Sequence, residues 1–115
     1  MTPGEIMKNI EHCKIALQKG NDELKTLGVK KGKAEMEYRI ALRKKLLYLR
    51  QVDKLPVAII SDIAKGDEEI SRLRFTRDIS EMNFQVCIEA MRNLRLELEA
   101  YRSFLTYARA EYFNS

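Results

Sequence analysis

At 115 residues the chain has room for one domain, and 45% hydrophobic with 33% charged residues, five Gly, two Pro and no Trp describe a soluble helical protein rather than a disordered one. No apolar run approaches the ~20 residues that cross a bilayer, and Met1-Thr2-Pro3-Gly4-Glu5 lacks the basic-then-apolar order of a signal peptide, so a cytoplasmic location is expected. The net charge of +4 is concentrated: residues 30–54 carry nine basic against three acidic side chains, while the stretches on either side are balanced or slightly acidic.

The chain opens with Thr2 and Glu5 at capping-box spacing and Pro3 at the first helical position, where its missing N–H costs nothing. Ile6, Ile10, Cys13, Leu17, Gly20, Leu24 and Leu27 then recur at alternating steps of four and three. That rhythm is the seam of a helix lying against another helix. Gly28 and Gly32 weaken the helix, but the seam continues in phase through Ala34, Tyr38 and Ala41, so one helix over about 3–53 is expected. From Met36 onward the apolar face widens to take in Ile40, Leu42, Leu46, Leu47, Leu49 and Val52.

Pro56 disfavours helical geometry in the residue before it and closes the first helix. Residues 57–65 read as a short connecting helix, with Val57, Ile60 and Ile63 plugging the end of a hairpin and Gly66 as its C-terminal cap. Asp67 is the expected N-cap of the last helix, with Glu68 and Glu69 at the positive end of its dipole. That helix, about 67–112, carries a seam through Ile70, Leu73, Arg77, Ser80, Phe84, Cys87, Met91, Leu94, Leu98, Tyr101, Leu105, Ala108 and Tyr112. A second stripe runs beside it through Phe75, Ile79, Met82, Val86 and Ala90, then Ala100, Phe104 and Tyr107.

The fold class is therefore all-α: a long antiparallel helical hairpin with a short connecting helix, in a single domain. Equal arms, roughly 76 and 69 Å long at 1.5 Å per residue, set residue 53 opposite residue 67 and predict a rod. Two helices bury one stripe each. The remainder (Met36, Ile40, Leu47, Phe75, Ile79, Met82 and Val86) would form one exposed patch larger than monomers tolerate, which predicts a homodimer or higher oligomer. A third helix made by folding back at Gly28–Gly32 is the alternative. Equal arms also place Arg77 near Arg43 and suggest a register-fixing polar layer of Glu37, Arg39, Arg77 and Asp78. They keep Cys13 and Cys87 about 30 Å apart, too far for a disulfide.

Catalytic and metal chemistries lack their residues. His12 is the only histidine, and neither cysteine has a partner at ligand spacing. The segment from Gly28 to Ala34 differs from a phosphate loop in its glycine spacing, has no Ser or Thr after the lysine and follows no strand. No cofactor and no enzymatic activity are expected. Lys30, Lys31, Lys33, Arg43, Lys44 and Lys45 form a basic surface that suits nucleic acid or an acidic protein. Tyr38, Tyr48 and Tyr101 are available for stacking, though at seam spacing they suit a core better.

Glu37-Tyr38-Arg39, Leu55-Pro56, the run from Ser61 to Glu69, Leu73-Arg74-Phe75 and Arg77-Asp78 together resemble small helical proteins encoded in phages and prophages of Gram-positive bacteria. The resemblance covers roughly residues 20–112. Such genes often sit among phage DNA-metabolism and recombination genes, so the resemblance implies a phage setting and, with it, a host-cell cytoplasm. It carries no established activity and no site residues. The expected role is a non-enzymatic protein that binds a host or phage protein engaged with nucleic acid, such as an inhibitor of a defence nuclease of the CRISPR-effector kind. A DNA-associated accessory factor in phage recombination or replication is the alternative, and a structural helical spacer the third.

Overall fold

The computed structural model describes residues 1–114. It is all-helical: α1 spans Pro3–Gln51, α2 Val57–Gly66 and α3 Glu68–Asn114. The chain falls into two compact units, residues 26–84 and residues 1–25 with 85–114. In each unit a stretch of α1 packs antiparallel on a stretch of α3. α1 runs unbroken through Gly28 and Gly32, so the fold-back alternative is not adopted. The capping box forms as its residues imply: the Thr2 N–H donates to Glu5 at 3.4 Å and the Glu5 N–H donates to Thr2 Oγ1 at 3.2 Å.

The two seams are the cores of the units. In the unit of residues 1–25 and 85–114, Ile6, Cys13, Met91 and Leu98 are buried. Met91 fills the space left by Gly20, where an added Cβ would lie 3.1 Å from its Cγ. The Cys87 thiol points at the Gly20 carbonyl at 3.8 Å. Cys13 lies by Glu97 and Tyr101 rather than opposite residue 107. Seven residues of helix separate Cys13 from Gly20, an axial gap of ~10 Å. The two thiols are thus nearer than the ~30 Å that equal arms imply, yet still beyond disulfide reach, and both are free.

In the unit of residues 26–84, Ala34, Tyr38, Leu49, Ile60, Ala64 and Ile70 are buried. Its register corrects the equal-arm expectation. Lys45, not residue 53, stands opposite the start of α3, with Nζ 3.3 Å from Asp67 Oδ1. The end of α1 therefore runs roughly two turns past α3. Leu46 and Leu49 are left without an α3 partner, and α2 folds onto them. Ile60 and Ala64 pack with Leu49, against Leu42, Leu46 and Leu55. Val57 and Ile63, expected to plug the hairpin, are exposed instead. The chain turns at Lys54, the only described non-glycine residue with positive φ (53°), and the Leu55 N–H closes on the Leu49 carbonyl at 3.1 Å.

Asp67 serves both flanking helices, and Gly66, expected as the cap of α2, is its last helical residue. The Asp67 N–H donates to Ala64 O at 3.2 Å, closing α2, and its carboxylate accepts the Ile70 N–H at 3.2 Å, opening α3. That backbone hydrogen bond, and next the bond from Lys45, hold the Asp67 carboxyl below the usual carboxylate range. Because the folded-state value is the lower one, the associated stability is present above the ordinary Asp pKa and fades as pH falls through the depressed value. Asp67→Asn is expected to lower the melting temperature at neutral pH and to flatten its decline in acid, from roughly pH 5 downward, in thermal unfolding followed by circular dichroism.

Gly32 has nothing within 4 Å of the Cβ it lacks. Gly32→Ala is expected to stabilise the fold by about 1 kcal/mol through helix propensity alone. Gly20→Ala is expected to give no such gain, because Met91 must move. Urea unfolding of both variants checks the pair.

Candidate interaction surfaces

The buried seam in residues 26–84 fixes what the outer sides of the helices present. At 100° per residue, Met36, Ile40 and Leu47 share the side of α1 turned from the buried seam, with Ile40 at the edge that borders the groove toward the start of α3. Each of the three is about half exposed. Phe75, Ile79 and Met82 fall on the side of α3 away from α1, with Phe75 and Met82 exposed and Ile79 half-buried. Val86 continues that α3 face and is exposed too. The two sets face in opposite directions. They are two separate apolar faces, not the one patch expected from sequence.

The basic surface also divides. Lys31 turns inward, its Nζ 4.7 Å from the centre of the Phe84 ring. Lys45 is tied to Asp67. Among the described residues no ion pair engages Lys30, Lys33, Arg43 or Lys44, and all four are exposed. Helical spacing sets Lys33, Arg43 and Lys44 around the apolar face of Met36, Ile40 and Leu47. Two of the six cations are thus structural and four are available to a partner.

Arg77 occupies a seam position without leaving its core. Its guanidinium carbon sits 4.4 Å from the centre of the Tyr38 ring, a cation–π contact. Its Nε and Nη2 donate to Asp78 Oδ1 at 3.0 and 2.9 Å, and Glu35 Oε2 lies 3.6 Å from Nε. Glu35 also accepts from Arg39 Nε at 2.6 Å. Asp78 above all, against the cost of partial burial, holds the Arg77 guanidinium above its ordinary pKa, and Glu35 and Tyr38 act the same way. Of the four residues expected in a polar layer, Arg39, Arg77 and Asp78 come together. Glu37 does not: it lines a groove between α1 and the start of α3, with Ile40, Lys44, Tyr48, Asp67 and Glu69. Glu35 takes its place, and Arg77 meets Tyr38 rather than Arg43, because the true register is offset. The i,i+4 spacing of Glu35 and Arg39 is the sequence signal that could have identified Glu35.

Tyrosine stacking capacity is limited. Tyr38 is buried beneath Arg77, and Tyr101 is half-buried with its hydroxyl donating to Glu97 at 3.2 Å. Tyr48 is exposed, with Lys45 over its ring at 5.8 Å. Burial pushes the Cys13 thiol pKa up, and the Glu97 carboxylate adds to it. His12 is exposed. Among the described residues no three His, Cys, Asp or Glu side chains are grouped to hold a metal ion, and no helix is long and apolar enough to cross a membrane. No protein-family model, curated protein or solved structure matches the chain.

Arg77→Ala is expected to cost about 1–2 kcal/mol through loss of the ring contact and of packing by the side-chain stem. Glu35→Ala should cost less, and Glu37→Ala should stay within ~0.5 kcal/mol of the parent. A urea-unfolding series on the three variants separates the two glutamates.

Proposed function

We propose that the protein is a non-enzymatic binding protein, and that the outer face of α1 engages an acidic surface on a protein that handles nucleic acid. The observation that carries this reading is the combination on one helix side: half-exposed Met36, Ile40 and Leu47 bordered by unpaired Lys33, Arg43 and Lys44. Apolar side chains gain by leaving water against another protein, whereas a phosphate backbone rewards cations alone. Cations on the rim steer an acidic partner and set orientation more than they add affinity. With two tyrosines engaged inside the fold, stacking on bases has little to draw on. An inhibitor of a defence nuclease, carried by a phage and acting in the host cytoplasm, is the role that joins this face to the phage-type resemblance of the chain. Direct DNA binding as a recombination or replication accessory is the second reading, favoured by the four free cations.

The experiment is affinity capture from nuclease-treated lysate of a Gram-positive host, comparing the parent chain with a Lys33→Glu/Arg43→Glu/Lys44→Glu variant. The expected outcome is an acidic nucleic-acid-processing protein retained by the parent and lost with the variant, together with inhibition of that protein's activity by the parent chain alone. Retention of nothing would overturn the proposal. A gel shift of DNA at low salt that weakens steeply as salt rises and vanishes in the variant would replace it with the second reading.

A further inference from the structure

The outer face of α3 carries an unpartnered stripe whose spacing and charges are self-complementary. Phe75, Ile79, Met82 and Val86 follow each other at steps of four, three and four along one helix side. We infer that a second copy of this chain covers this face, with the two α3 helices antiparallel. Phe75 then lies against Val86 of the second copy, and Ile79 against Met82 of the second copy. This is the layer pattern that an antiparallel seam requires, each four-step position meeting a three-step position of its mate.

The charges beyond the apolar layers select the same alignment. One turn outside Phe75 stands Arg72, and it meets Glu89 of the second copy. Both are exposed: among the described residues Arg72 pairs with Glu68 and Glu89 with Arg92, contacts that cost little to rearrange. Sliding one α3 past the other by a turn in either direction sets Glu68 against a like charge, Glu97 in one case and Glu89 in the other. The first slide also places Phe75 against Ala90, and the second Ile79 against Asp78. Two-fold symmetry makes every such contact occur twice, which doubles both the gain in the right register and the penalty in the wrong ones. Four apolar layers make a short interface, near the low end of what holds a specific dimer, so the dimer separates on dilution. The inference concerns a surface distinct from the α1 face proposed for the partner.

Light scattering coupled to size exclusion, over loading concentrations from low micromolar to millimolar, tests it. The expected mass rises with concentration toward twice the 13.4 kDa of one chain. Phe75→Glu and Met82→Glu should remain at one chain mass throughout with unchanged helical circular dichroism, since both side chains are exposed in the single chain. Arg72→Glu should weaken association at least tenfold, and Arg72→Glu with Glu89→Arg should restore it. A parent chain that stays monomeric at millimolar concentration overturns the inference. So does a dimer that survives Phe75→Glu, or a charge swap that fails to rescue Arg72→Glu. Affinity capture through α1 by the Phe75→Glu chain reports on the α1 reading separately.

Discussion

Lys45 faces Asp67, and the rest of the unit of residues 26–84 depends on that offset. The end of α1 thereby outruns the start of α3, and the leucines of its last turns need another cover. The short α2 supplies it with Ile60 and Ala64. The same offset brings Arg77 over the Tyr38 ring and sets Phe84 beside Gly28, where a Cβ would sit 3.4 Å from the ring. A charge pair, a cation–π contact and a ring against a glycine lie along one seam. No slip by a turn satisfies all three. Asp67 joins the offset to the chain's path, because one carboxylate caps α3, pairs with Lys45, and belongs to the residue whose N–H ends α2.

Two helices packed on each other bury one stripe apiece, and this chain carries more apolar residues than two stripes can use. The surplus is placed on the backs of both helices. One back is bordered by exposed cations, the other by Arg72 at one end and Glu89 at the other, so the two faces differ in what they can accept. A cationic border repels a second copy and attracts an acidic partner, while a border of Arg72 and Glu89 attracts its own inverse. Division of the basic residues into inward and outward sets sharpens this contrast. Lys31 and Lys45 neutralise or cover groups within the fold, and their charge is spent there. Lys30, Lys33, Arg43 and Lys44 keep theirs for the surroundings.

Helix content, helix ends and the seam residues were legible in the sequence because each is a local property. The four-three rhythm, Thr2 with Glu5, Pro56 and Asp67 act within a few residues of themselves, and the observed α1, α2 and α3 differ from the expected spans by at most two residues at either end. The exposure of Met36, Ile40, Leu47, Phe75 and Met82 also follows from periodicity, since a residue opposite the seam has no neighbour in a two-helix unit. The register between the helices was not legible. A regular heptad seam matches an equally regular partner at every shift of seven residues, so equal arm lengths were the only guide, and they misplaced the pairing. Everything that depends on which residues face one another was decided by the tertiary structure. That includes Glu35 rather than Glu37 beside Arg77, α2 on the flank of α1, two apolar faces instead of one, and which lysines remain free. The physical reason is common to all four: periodicity assigns a residue to a side of its own helix, while only packing says what stands across from it.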